Sequence, residues 1–222
     1  MAAKPKDSTS KAIKSVVLTL LSMAALAAPV ILGFSLFPTD PWILLGFLVL
    51  LFWMSNEFFF PAKHSREEVR EFRSLLFMTF SQPGTVVVSC WGYFLLGPSL
   101  PGGWILSAVG LFLALFGAIF RFSAMRTLGQ YYTMCVTIRD SHKLISNGPY
   151  RFVRHPGYLG QFCFLLGIVF TMQSIWGLFV YIIWAVTQIY RIQKEESVLV
   201  NFLGETYCEY QQKTKRLIPG VY

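Results

Sequence analysis

The chain has 222 residues, of which 55% are hydrophobic and 14% charged, against about 25% charged in soluble domains. Mean hydropathy is positive, which excludes an ordinary soluble enzyme and leaves no room for a separate soluble catalytic domain. The net charge of +8 would suggest nucleic acid in a soluble protein, but these basic residues cluster between apolar runs, where topology and anionic lipid headgroups account for them.

From the N-terminus, residues 1–12 are polar and basic, with Lys4, Lys6 and Lys11, and are expected to be disordered and cytosolic. The apolar run from Ile13 to Phe37 exceeds the roughly 7–15 residues of a secretory signal core, so it is predicted as a first span. Pro38-Thr39-Asp40-Pro41 marks a tight turn, and a second span runs from Trp42 to near Phe60. The stretch Pro61 to Arg73 mixes four basic and three acidic residues at i, i+3 and i+4 spacings, the pattern of a solvated loop or surface helix. A third span, Leu75 to Gly97, carries Gln82-Pro83-Gly84, where the missing proline N–H predicts a kink. After an uncharged turn, Trp104 to Met125 reads as the fourth span.

Lys and Arg gather at the N-terminus, in the 61–73 loop and after Arg121, and are absent from the 38–41 and 98–103 turns. This asymmetry puts both termini and the 125–156 loop in the cytosol, with Trp42 and Trp104 in an outer aromatic belt. The apolar signal resumes from Gly157 to Tyr190, broken at Gln173-Ser174. At 1.5 Å per residue, one helix of that length would far exceed the roughly 30 Å hydrocarbon core. A hairpin turning at Met172-Gln173-Ser174 is predicted instead. The expected fold is all-α and polytopic, with about six membrane helices, a cytosolic loop and a C-terminal helix. Its parts are 1–12, a four-span region 13–124, and a core 125–222 formed by the loop, hairpin and tail. The tail from Arg191 is expected to prolong the last helix, with Val198, Leu199, Phe202 and Leu203 on one stripe, and to pack over the 125–156 loop.

Cys90, Cys135, Cys163 and Cys208 stand singly, and His64, His142 and His155 show no ligand spacing, so no metal is expected. Polar residues converge elsewhere. Pro156 suits the first turn of a helix, where its missing N–H costs nothing, and His155 and Tyr158 then share a face. Arg191 and Glu195, four apart, return on the second hairpin helix at the same level. Singly, Arg151 and Arg154 mark a membrane boundary, Arg191 and Glu195 an ordinary ion pair, and Tyr150 an interfacial aromatic. Together they outline a polar pocket open to cytosol and lipid. No G-x-G-x-x-G, phosphate-binding loop or Ser/His/Asp set identifies a cofactor.

An ordered set of motifs does carry a resemblance: Leu128-Gly129; His142-x-Leu144-Ile145-x-x-Gly148-Pro149-Tyr150; Arg154-His155-Pro156-x-Tyr158-x-Gly160; Arg191-x-x-x-Glu195-Glu196; and the tail Phe202-Leu203-Gly204-Glu205-x-Tyr207-x-x-Tyr210 ending at Pro219-Gly220. It resembles the isoprenylcysteine carboxyl methyltransferase family, integral membrane enzymes that use S-adenosylmethionine to methylate a prenylated C-terminal cysteine. The resemblance implies cofactor contacts from His142, Lys143, Leu144, Ile145, Tyr150, His155, Pro156, Gly157, Tyr158 and Glu195. It makes Arg191 the catalytic residue facing the substrate carboxylate, with Arg154 also on the substrate side. A polar cofactor contact of the family falls at Cys135 or its neighbours. A carboxylate with a reference pKa near 3.5 is already ionised at neutral pH, so the lack of a nucleophile–base pair does not count against an enzyme. The implied partners are a lipophilic, isoprenoid-bearing substrate and membrane lipid. The membrane would be the endoplasmic reticulum in a eukaryote and the plasma membrane in a prokaryote.

Two alternatives stay open. A sterol-reductase-like enzyme using NADPH shares the Arg-His-Pro-x-Tyr segment and a similar tail, but usually has more spans than this length permits. A non-catalytic membrane scaffold of the same fold would have no need to keep Arg191, Glu195, His155 and Tyr158 together.

Overall fold

The computed structural model describes residues 41–59, 72–129 and 144–218. Among them are α1 (Pro41–Phe59), α2 (Phe72–Leu96), α3 (Gly103–Leu128), a 3-10 turn (Gly148–Arg151), α4 (Pro156–Thr171), α5 (Ile175–Leu203) and α6 (Glu205–Lys213). The described chain is helical, and its β pairing is an isolated parallel bridge between Val153 and Lys215. Two of these helices, α3 and α5, are long and apolar enough to cross a membrane. The expected first span, nearly all of the 61–73 loop, and His142, Lys143 and Cys135 lie outside the described residues.

The centre of the fold is the contact between α3 and α4, and glycine spacing creates it. Gly110, Ala114, Gly117 and Ala118 line one face of α3, while Gly160 and Gly167 line α4, and all six are buried. A Cβ on Gly167 would sit 2.4 Å from the Ala114 nitrogen, and one on Gly117 would sit 2.4 Å from the Phe164 nitrogen. The two backbones therefore touch. Lipid is as apolar as leucine, so helices in a bilayer associate through this close van der Waals packing rather than through hydrophobic expulsion. Phe164, Leu165 and Ile168 of α4 complete the core against Ala114 and Ala118 of α3, Val86 and Cys90 of α2, and Trp184 of α5.

The hairpin turns at Met172–Ser174, as predicted. Gln173 adopts φ 45°, a region sparsely used by non-glycine residues, and a polar network over-determines it. Its Nε2 donates to Ser107 Oγ at 2.8 Å, and its carbonyl accepts from the Ser99 and Leu100 amides at 2.9 Å each. Ser174 Oγ then caps α5 by accepting from the Gly177 amide. At the same end, Trp42 and Trp104 stack with ring centroids 6.3 Å apart. Helix α2 runs on through Pro83, so the span that carries Gln82-Pro83-Gly84 is one element, as expected.

The tail prolongs the last helix as expected and then adds the expected C-terminal helix. Helix α5 continues to Leu203, Gly204 at φ 54° stops it, and α6 begins there as a separate helix. The predicted stripe is not the buried one: Phe202 is 46% exposed, whereas Gln188, Ile192 and Glu196, one turn apart, are buried. Tyr207 and Tyr210 of α6 are buried as well.

Candidate active site

The chain enters the site through the 3-10 turn. Gly148 at φ 56° sets the turn, which buries Pro149 and Tyr150. Tyr210 of α6 donates from its hydroxyl to the Tyr150 carbonyl at 2.6 Å. His155 is the N-cap residue of α4 and Pro156 its first residue, so the proline costs no hydrogen bond.

One turn into α4, Tyr158 joins the two helices. Its hydroxyl accepts from Arg191 Nε at 2.9 Å and donates to Glu195 Oε2 at 2.8 Å. The His155 ring meets Tyr158 edge-on with centroids 5.7 Å apart. Four of the expected site residues, His155, Tyr158, Arg191 and Glu195, thus form one connected group drawn from α4 and α5. Pro156 and Gly157 supply the intervening backbone. Leu144 and Ile145 lie on the segment leading into the 3-10 turn, half-buried, and contribute none of these polar contacts.

Arg154 is placed differently from the expectation. Instead of facing outward to a substrate, its Nε donates to Glu196 Oε1 at 2.8 Å. Its Nη1 donates to the Gln211 carbonyl at 3.0 Å and to the Thr214 carbonyl. Its partner Glu196 is a second, buried carboxylate beside Glu195, one that sequence reasoning quoted but gave no task. Glu196 Oε1 also takes His155 Nε2 at 3.1 Å, and Oε2 takes Arg216 Nε at 2.9 Å and Nη2 at 2.7 Å. Glu196 lies beyond the apolar 175–190 stretch. Burial alone would raise its carboxyl pKa, but hydrogen bonds from His155, Arg216 and Arg154 outweigh burial and hold it well below the usual carboxylate range. It is ionised, so it accepts and the three partners donate.

A further polar set was missed. Arg121 of α3 donates to the Gly157 carbonyl at 3.3 Å and to Gln161 Oε1 at 3.4 Å. Gln161 in turn donates to Gln82 Oε1 at 2.6 Å. Lone polar residues in apolar spans are uncommon and functional by default, and that signal was available from sequence.

Residues 108–201 match the sequence profile of the isoprenylcysteine carboxyl methyltransferase (ICMT) family. A probable protein-S-isoprenylcysteine O-methyltransferase of Oryza sativa subsp. indica is 37% identical over 134 residues, which cover 57% of this chain and 68% of the relative. The chain belongs to the isoprenylcysteine carboxyl methyltransferase family. A Xenopus laevis member, named protein-S-isoprenylcysteine O-methyltransferase, is 33% identical over 129 residues, covering 52% of this chain and 41% of its own. The solved structure of the eukaryotic intramembrane Ras methyltransferase ICMT superposes with a TM-score of 0.60 at 24% identity, covering 90% of this chain and 75% of that one. The fold of this family member is therefore that of an intramembrane protein. The matched stretch takes in Arg121, His155, Tyr158, Arg191, Glu195 and Glu196, and ends before α6 and Arg216.

Proposed function

We propose that this protein transfers a methyl group from S-adenosylmethionine to the carboxylate of a prenylated cysteine or a related lipophilic acid, at the mouth where α4 begins and α5 leaves the bilayer. The observation that carries the reading is the Arg191–Tyr158–Glu195 chain: a guanidinium and a carboxylate held on one phenol, between two helices. Its curated relatives are named as enzymes of this reaction class.

The residues present suit the methyl donor. Glu195 offers a carboxylate to an ammonium, buried Tyr150 and His155 offer ring surface, and Gly157 leaves open backbone. Among the described residues, a Cβ on Gly157 would have only Arg121 Nη1 within 4 Å, at 3.9 Å. When bound, S-adenosylmethionine supplies an electrophilic methyl carbon. The chain's own tasks are binding and alignment. Arg191 would hold the acceptor carboxylate by paired hydrogen bonds, with Tyr158 fixing the guanidinium. Leu144, Ile145, Tyr150, His155, Pro156, Gly157, Tyr158 and Glu195 would line the donor site together with His142 and Lys143. Because the acceptor is already ionised, no residue need remove a proton. Alignment in a site closed to water can contribute roughly 7–11 kcal/mol to the rate. A lipid-tailed acceptor would enter from the bilayer and the polar donor from the cytosol.

The accompanying topology has six membrane helices, a four-span region over 13–124 and a catalytic core over 125–222. Both termini are cytosolic, in the endoplasmic reticulum of a eukaryote or the plasma membrane of a prokaryote. Calorimetry on the detergent-purified protein tests the reading. S-adenosylhomocysteine should bind at micromolar level without competition from NADPH. No binding of the first, or tight binding of the second, overturns it in favour of a scaffold or a reductase.

A further inference from the structure

Two consecutive carboxylates divide the mouth of this bundle between them. Glu195 takes the Tyr158 hydroxyl, which in turn takes Arg191. Glu196, turned to another face of α5, belongs to the segments that meet there from either side. Its Oε1 takes Arg154 and His155 from the head of α4, and its Oε2 takes Arg216 from the tail.

Backbone pairing follows the same line. The Arg154 amide donates to the Lys215 carbonyl at 2.8 Å and the His155 amide to the Arg216 carbonyl at 3.2 Å, completing the bridge between Val153 and Lys215. These two N–H groups precede α4 and have no helical partner of their own, so the tail supplies it. Residues 214–216 thus form a short strap laid beside 153–155, and Arg216 fastens it. Arg216 is also the outermost member of the cluster. Its side chain is 26% exposed, against 10% for Arg154, 4% for His155 and 5% for Glu196. Removing Arg216 leaves Glu196 with two buried partners, and the strap keeps the Arg154 bond to the Thr214 carbonyl but loses its own side-chain tie to Glu196.

We propose that Arg216 is a positioning residue: closed on Glu196, it docks the strap and fixes the His155 imidazole and the first turn of α4, and so sets affinity for the methyl donor without touching the acceptor. This rests on the donor lying against His155 to Tyr158, as proposed above. A purely structural ion pair would lower thermal stability and leave both kinetic constants alone.

The test uses the full chain in lipid nanodiscs, comparing wild type, Arg216→Met and Arg216→Lys by hydrogen exchange without any donor and by steady-state kinetics with a farnesylcysteine analogue. Losing a hydrogen bond to a charged group predicts about tenfold faster exchange at the Arg154 and His155 amides in Arg216→Met. The same loss predicts a KM for S-adenosylmethionine raised about tenfold, with kcat within about twofold. Arg216→Lys keeps the charge but loses the paired geometry and should fall between. Unchanged exchange at 154–155, or a fall in kcat with KM constant, overturns the proposal. Should Arg216→Met not fold, the same two readings on Arg216→Lys decide by the same criteria. Failure of the methyltransferase reading looks different: wild type would bind no S-adenosylhomocysteine, while the exchange measurement would still judge the strap.

Discussion

The α3–α4 seam and the mouth of the bundle are both tightly packed, yet they are made in opposite ways. In the seam, side chains are withheld, so that backbone meets backbone at Gly110, Gly117, Gly160 and Gly167. At the mouth, long polar and charged side chains reach across 20 to 60 residues of sequence to meet, from Glu196–Arg216 to Arg154–Thr214. A shape-made contact admits no substituent and has no alternative arrangement. A charge-made contact can open one bond at a time and close again. The difference separates the part of the molecule that sets its architecture from the part proposed to admit and release ligands.

The largest expected effect tests the mouth alone. Arg191→Ala should reduce methyl transfer to a farnesylcysteine analogue by on the order of 10³-fold while leaving S-adenosylhomocysteine affinity within about threefold. Calorimetry beside a radiolabel assay reads both, and equal loss of the two would move Arg191 to the donor. The seam should fail in the other manner. Gly167→Ala places a Cβ 2.4 Å from the Ala114 nitrogen, and overpacking of that kind costs about 1–3 kcal/mol. The apparent melting temperature in detergent should drop, with activity lost only as folded protein is lost. A stable Gly167→Ala enzyme with a selectively altered KM would erase the distinction.

A milder change at the mouth is Tyr158→Phe, which deletes the hydroxyl between Arg191 and Glu195 and keeps the ring. A loss of at least about tenfold in kcat/KM is expected, because the two hydrogen bonds to charged groups go together, with a smaller fall in melting temperature than Gly167→Ala gives. The smallest effect concerns pH. Because its folded-state pKa is depressed, Glu196 contributes strap docking above its unfolded value near 4.3, and that contribution is lost only as pH falls through the folded value. Exchange at the Arg154 and His155 amides, corrected for intrinsic rate, should therefore be flat from pH 5 to 8 and rise below about pH 4. Loosening centred near pH 6 would implicate a different group.

How much of this was legible in the sequence follows the same division. The hairpin and the meeting of Tyr158 with Arg191 and Glu195 could be read ahead, because helical period and a polar break at Gln173-Ser174 are local signals. The seam was equally local: Gly110 and Gly117, like Gly160 and Gly167, stand two turns apart, but the spacing was passed over. Arg216 could not be found in this way. Its approach to Glu196 depends on the direction the chain takes after Gly204, and a left-handed glycine says only that a helix ends. Arg154 shows the same gap from the other side. A basic residue at a membrane boundary looks available to a substrate until the tail that occupies it is in place.

Helix α5 has 29 residues, about 44 Å at 1.5 Å per residue. From Ile175, Arg191 is 191 − 175 = 16 residues along and Glu195 is 20, so they sit about 24 and 30 Å from the start of the helix. The hydrocarbon layer is roughly 30 Å thick. On the proposed topology the helix acts as a depth gauge, bringing Glu195 to the edge of the hydrocarbon layer and Arg191 about one turn inside it, whatever the length of the acceptor's tail. On that reading, a longer tail would anchor the acceptor more firmly without changing where its carboxylate lies, whereas a thicker bilayer would draw the Arg191 guanidinium deeper into the hydrocarbon layer.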